Sequence, residues 1–164
     1  MHKRLIRRIF NLKRDERGVQ LVELAIILPV VVVLFAATAE FGRYFYEYTT
    51  LAKASRVAVR YLVTARTNGD DDDGAKNLVI YGNFAGTGSK VVYGLDTANV
   101  VITRRNAAGV VVTGGVPYTV TVEIVNFKHS SLFNLAGLTN SSATLNIDIK
   151  PSVTMHYLLT QPSI

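Results

Sequence analysis

Residues 19–39 form one almost unbroken apolar run, VQLVELAIILPVVVVLFAATA, and this run constrains the chain more than any other feature. Only Gln20, Glu23 and Thr38 interrupt it. As a helix it measures ~31 Å at ~1.5 Å per residue, enough to cross a hydrocarbon core of ~30 Å. A lipid core leaves backbone groups no water to bond, so a lone segment of this length must be helical to span it. The competing reading is a core helix of a soluble domain.

Flanking charge favours the membrane reading. Residues 1–18 carry seven Lys or Arg against Asp15 and Glu16, whereas the remaining 146 residues carry eleven against ten. The net charge of +6 is thus concentrated in a basic leader ahead of the apolar run. The positive-inside rule then puts the N-terminus in the cytoplasm and the C-terminal part outside. The same asymmetry argues against nucleic-acid binding, which needs a basic face on the folded part.

Beyond the run, residues 40–66 read as an amphipathic helix extension. Leu51, Ala54, Ala58, Tyr61, Leu62 and Ala65 recur at helical spacing, and Lys53, Arg56, Arg60 and Arg66 lie mostly off that stripe. Phe41, Tyr44, Phe45, Tyr46 and Tyr48 suit either a membrane interface or packing against a following domain. If residues 19–66 are one helix, Pro29 should kink it and Gly42 should weaken it. Residues 67–77 read as an acidic linker, with Asp70, Asp71, Asp72 and Asp73 forming a solvated loop. Calcium loops alternate ligand and spacer, which a plain aspartate run does not.

Residues 78–164 read as a β-rich extracytoplasmic domain. Tyr118, Val120, Val122 and Ile124 alternate with Thr119, Thr121 and Glu123, and residues 143–149 alternate likewise. Residues 100–105 and 110–113 flank Asn-Ala-Ala-Gly, a hairpin signal. Residues 90–95 and 78–81 are further strand candidates. The expected fold class is α+β: a long N-terminal helix packed on an antiparallel sheet of four or five strands.

No chemistry is evident. The chain has no Cys, so disulfides, thiol catalysis and thiolate metal sites are excluded. His129 lies beside Ser130 and Ser131, but adjacency in sequence does not make a triad, and it reads as a surface-loop histidine. The glycines of residues 82–88 lack the spacing and the Lys of a phosphate loop. The expectation is a protein that is not an enzyme and binds no metal or cofactor.

The most informative stretch is Glu16-Arg17-Gly18-Val19-Gln20-Leu21-Val22-Glu23. A basic leader ends in Gly, the apolar run starts at once, and one acid stands five residues after that Gly. A charge within a membrane span costs about 3 kcal/mol on insertion scales, so an intramembrane acid points to function. Cleavage after Gly18 would free the Val19 ammonium one turn from Glu23, where it neutralises the buried carboxylate. It could also reach Glu23 of a neighbouring subunit.

This stretch resembles the class III signal of type IV pilins and pseudopilins. The resemblance implies a prepilin peptidase that cuts between Gly18 and Val19, and a Glu23 that guides assembly. The likeness extends through Leu28-Pro29, Glu40-Phe41-Gly42-Arg43 and the Ala-Ser-Arg-x-Ala-x-Arg-Tyr pattern from Ala54 to Tyr61. Over that stretch the chain resembles the TadE-like proteins of the tight-adherence (Tad/Flp) pilus system. That family implies a single-pass inner-membrane protein whose helix packs with other pilins, here through Leu24, Ile27, Val31 and Leu34. Its implied partners are the peptidase, other pilins or pseudopilins, the assembly machinery and membrane lipid. Leu24 follows Glu23 where the major Tad pilins have Tyr, and those pilins are much shorter. Both departures point to a minor pilin or pseudopilin supporting pilus assembly and surface adhesion.

Two other readings stay open. Ala37-Thr38-Ala39 fits a signal-peptidase site, which would release a secreted protein starting at Glu40, although Glu23 interrupts the apolar region. The domain could also be a membrane-anchored binding or adhesion module outside a pilus.

Overall fold

The computed structural model describes residues 16–65, 70–132 and 146–158. The basic leader up to residue 15 lies outside the described residues. The chain divides into two compact units at Phe41 and Gly42. Helix α1, Glu16–Leu62, supplies all described residues of the first unit and opens the second.

In the first unit α1 runs through Pro29 without ending, although proline offers no N–H to the carbonyl one turn back. Neighbouring turns keep their bonds, and leucine and alanine are strong helix formers. Thr38 Oγ1 donates to the Leu34 carbonyl at 2.9 Å, so its hydroxyl adds little polarity to the apolar surface.

In the second unit α1 turns its Leu51, Ala58, Val59 and Leu62 side into the core, and these four and Val63 just past its end are buried. Three strands complete the fold: β1, Val100–Arg105; β2, Thr119–Ile124; β3, Ser152–His156. They form an antiparallel sheet in the order β1-β2-β3. Val120, Val122 and Ile124 are fully buried at alternate positions of the central strand, and Ile102, Val153 and Met155 pack beside them. The opposite face carries Thr103, Thr121 and Thr154 in one row across all three strands, with Thr121 and Thr154 hydroxyls 2.8 Å apart. This is the period-two alternation of a sheet with one face on a helix and one in water. Tyr157 donates its hydroxyl to the Ala65 carbonyl at 2.7 Å, tying the end of β3 to the end of α1.

Several expected elements come out differently. Residues expected as an acidic linker and a strand at 78–81 instead form helix α2, Asp70–Tyr81. Aspartates in a first helical turn meet the positive end of the helix dipole. Ala75, Leu78 and Val79 follow at helical spacing and are buried. Asp71 accepts a 2.8 Å hydrogen bond from Tyr61, and Asp72 forms a two-point ion pair with Arg104, so neither is merely solvated. The hairpin turn at Asn106 forms, but its return arm bonds β1 only around Val111 before diverging through Gly114 and Gly115. Residues 90–95 make turns instead of a strand.

Residues 143–145 of the expected last strand lie outside the described residues. Residues 146–149 pair with 127–131 beyond a break at Asn126, whose φ of 53° is left-handed. The third strand lies further along, at Ser152–His156. The sheet therefore has three strands among the described residues, against the expected four or five.

Candidate membrane anchor and processing site

Gly18, Val19 and Glu23 lie on the first turns of α1. Val19 and Glu23 are four residues apart, hence ~6 Å along the axis and on one face. Gly18 is exposed, and a Cβ built on it meets no atom within 4 Å outside the helix's own backbone. Leu24, Ile27, Val31 and Leu34 follow at intervals that keep them on one side, and they are 45–62% exposed. The helix is long and apolar enough to cross a membrane, and its most apolar window is wholly uncovered by the protein. A row of large aliphatic side chains in contact with water is unfavourable by ~25 cal/mol per Å², so this surface is compatible with a membrane anchor.

Buried polar side chains are few: Glu40, Ser55 and His129 among the described residues. His129 corrects the sequence reading. It is only 1% exposed, and its Nδ1 lies 2.7 Å from Glu47 Oε2. Tyr44 meets the imidazole edge-to-face at 5.9 Å between ring centres, and Arg43 sits 3.7 Å from the other Glu47 oxygen. The pair joins α1 to the chain segment that leaves β2. No sequence signal links residues 82 positions apart, so this contact was not readable. The aromatic group after the apolar run is split by burial. Tyr44 packs inward, whereas Phe45 and Tyr46 are exposed.

Electrostatics in the second unit are local. The Asp71 carboxylate accepts a hydrogen bond from the Tyr61 hydroxyl and holds that phenol above its usual range. The Asp72 carboxylate does the same for the Arg104 guanidinium. Lys150, 2.8 Å away, holds the exposed Asp148 carboxyl below the usual range. Among the described residues no three His, Asp or Glu side chains converge into a metal-binding group.

The distinguishing feature is therefore the uncovered helix with Gly18 and Glu23 at its start. Residues 18–60 match the family model for TadE-like proteins. The match begins at Gly18, includes Glu23, Pro29 and Glu40-Phe41-Gly42-Arg43, and ends within the pattern that starts at Ala54. This agrees with the resemblance to TadE-like proteins read from the sequence. It covers 43 of 164 residues and stops before α2 and the sheet. No curated protein and no solved structure matches the chain.

Proposed function

We propose that this protein is a minor pilin or pseudopilin of a Tad/Flp-type pilus, acting as a structural subunit in assembly and adhesion. The carrying observation is the coincidence of the TadE-like match with an uncovered apolar helix bearing Gly18 and Glu23. In this reading the leader stays in the cytoplasm, α1 crosses the inner membrane, and the sheet domain lies in the periplasm. Seven basic residues ahead of the span support that orientation.

A prepilin peptidase cuts between Gly18 and Val19. The peptide N–H of Val19 becomes an ammonium one turn from Glu23. In a medium of low dielectric an ionised carboxylate needs such a partner, and the N-terminal end of the helix adds its own positive potential. Glu23 then serves assembly, through its own Val19 amine or that of a neighbouring subunit. Leu24, Ile27, Val31 and Leu34 supply the apolar contact with adjacent pilin helices. The role proposed is structural, without catalysis.

The direct test is Glu23→Ala in the native host. The variant should be processed and stay in the membrane but fail to support pili. Normal piliation by this variant would refute the assembly role.

A further inference from the structure

Among the described residues the sheet of the second unit ends in an open edge on each side. Ile124 donates its amide to the Pro151 carbonyl and Tyr157 donates its amide to the Tyr118 carbonyl, both at 3.0 Å. By that alternation Val153 and Met155 also face β2, while Ser152, Thr154 and His156 turn their amides and carbonyls away from the sheet. No described strand pairs with them on that side. An open edge is a template for another strand, and proteins commonly guard one with Pro or a charged side chain. Ser152–His156 holds no Pro, Lys, Arg, Asp or Glu.

On the other side, beyond β1, lies the return arm, residues 110–113. Val112 donates its amide to the Arg104 carbonyl, and the Val110 carbonyl accepts from the Asn106 amide, both at 2.9 Å. Val111, which pairs with Arg105, therefore points its amide and carbonyl outward. Val110 and Val111 are more than half exposed although valine is a strong strand former.

We propose that the return arm of one copy of this chain adds as a further strand to the β3 edge of a second copy. β1 and β3 run the same way and the arm runs against β1, so the arm meets β3 antiparallel when both copies point the same way. For that shared orientation the proposal rests on the anchor reading, in which α1 holds every copy in one membrane. A two-fold pairing of β3 with β3 would reverse one sheet and the α1 packed on it, so anchored copies do not form it.

One register suits both faces. With Val111 opposite Thr154 the two residues exchange both backbone bonds. Both side chains then lie on the outer face, because Val111 shares the face of Arg105, and Arg105, Thr119 and His156 lie in one row across the sheet. Val110 meets Met155 and Val112 meets Val153 on the core face, where Met155 and Val153 are only partly buried in one copy. A slip of one residue would exchange the faces. No charged side chain lies within residues 110–113 or 152–155. A few backbone bonds of about 1 kcal/mol each hold weakly in free solution. Anchoring in a common membrane raises the effective concentration of the partner.

The chain has no Cys, so Val111→Cys combined with Thr154→Cys reads this contact on the full-length protein in phospholipid vesicles. Across a hydrogen-bonded antiparallel pair the Cα atoms lie about 5.5 Å apart, within disulfide reach. Within one chain the two positions are separated by β1 and β2, about 14 Å in all, which is beyond it. Oxidation with copper phenanthroline should therefore give a ladder of dimers, trimers and longer chains on a non-reducing gel, while each single variant stays monomeric. Tyr93→Cys combined with Thr154→Cys measures chance collision, since Tyr93 is 97% exposed and lies outside the sheet. The ladder should form about tenfold faster than that or more. Adding Val110→Lys keeps the arm's own backbone bonds but sets a charge beside Met155, and should slow the ladder by about tenfold.

Oxidation no faster than chance collision, on protein that floats with the vesicles, overturns the proposal and leaves the anchor reading standing. Dimers from Thr154→Cys alone at the rate of the ladder, or a ladder indifferent to Val110→Lys, also overturn it. Protein that does not float overturns the anchor reading: a ladder formed even so upholds the strand contact without it, and no ladder refutes both.

Discussion

His129→Ala should destabilise the second unit by about 3 kcal/mol. The imidazole is 1% exposed and lies 2.7 Å from Glu47, whose own side chain is 15% exposed. Removing the imidazole leaves the largely buried Glu47 carboxylate without its hydrogen-bond partner, which costs ~1–3 kcal/mol and more for a charged group, and the packing of a buried ring is lost as well. The residual access of Glu47 to solvent and the nearby Arg43 hold the expected total to about 3 kcal/mol. Against a total stability of ~5–15 kcal/mol, such a loss is large. For a unit of this size it should lower the melting temperature by about 10 °C. Thermal unfolding of the full chain in detergent, followed by circular dichroism, measures the shift. His129→Gln, which keeps a donor for Glu47, should lose less. A double-mutant cycle with Glu47→Gln should return a coupling above ~1 kcal/mol. Melting of His129→Ala within 2 °C of wild type would show that the pair contributes little and that the reasoning is wrong (~2–4 °C corresponds to 1 kcal/mol in larger domains).

Three further outcomes follow from the second unit. Arg104→Lys should weaken the tie between α2 and β1 by ~1–2 kcal/mol, because an ammonium cannot reproduce the two-point contact with Asp72; denaturant titration reads this. Tyr61 has a folded-state pKa above its unfolded value near 10, so its stabilising contribution is complete below that value. It is lost as pH rises through the higher folded value, and Tyr61→Phe should remove this alkaline dependence from a stability–pH profile. Asp148 has the opposite sign. Its stabilising effect is present above its unfolded pKa and disappears as pH falls through the lower folded one, so Lys150→Ala should flatten that acid limb.

The long N-terminal apolar helix was legible because its signals are local. An apolar run of membrane length, a basic flank, and an acid five residues after Gly18 can all be read within a short window. The core face of α1 was partly legible for the same reason: Leu51, Ala58 and Leu62 sit at helical spacing and are buried. Alternation in residues 118–124 located β2 and its inward face.

Elsewhere tertiary context overrode composition. The aspartate run resembled a loop, but a helix N-terminus, Tyr61 and Arg104 gave its carboxylates partners. The valines at 110–112 have strand propensity, yet Gly114, Gly115 and Pro117 direct the chain away, and β1 pairs with β2 instead. The positive φ of Asn126 interrupts the ribbon and moves the third strand beyond the alternation at 143–149. His129 was misjudged because Ser130 and Ser131 suggested a polar surface, whereas its partner lies on α1.

The central claim concerns what happens at the peptide bond after Gly18. The most direct measurement is N-terminal sequencing with intact mass of the protein purified from its native host, with and without the prepilin peptidase. A mature chain starting at Val19, replaced by the uncut form when the peptidase is deleted, is the predicted result. A mature chain starting at Glu40, or an uncut chain in cells with an active peptidase, would contradict it.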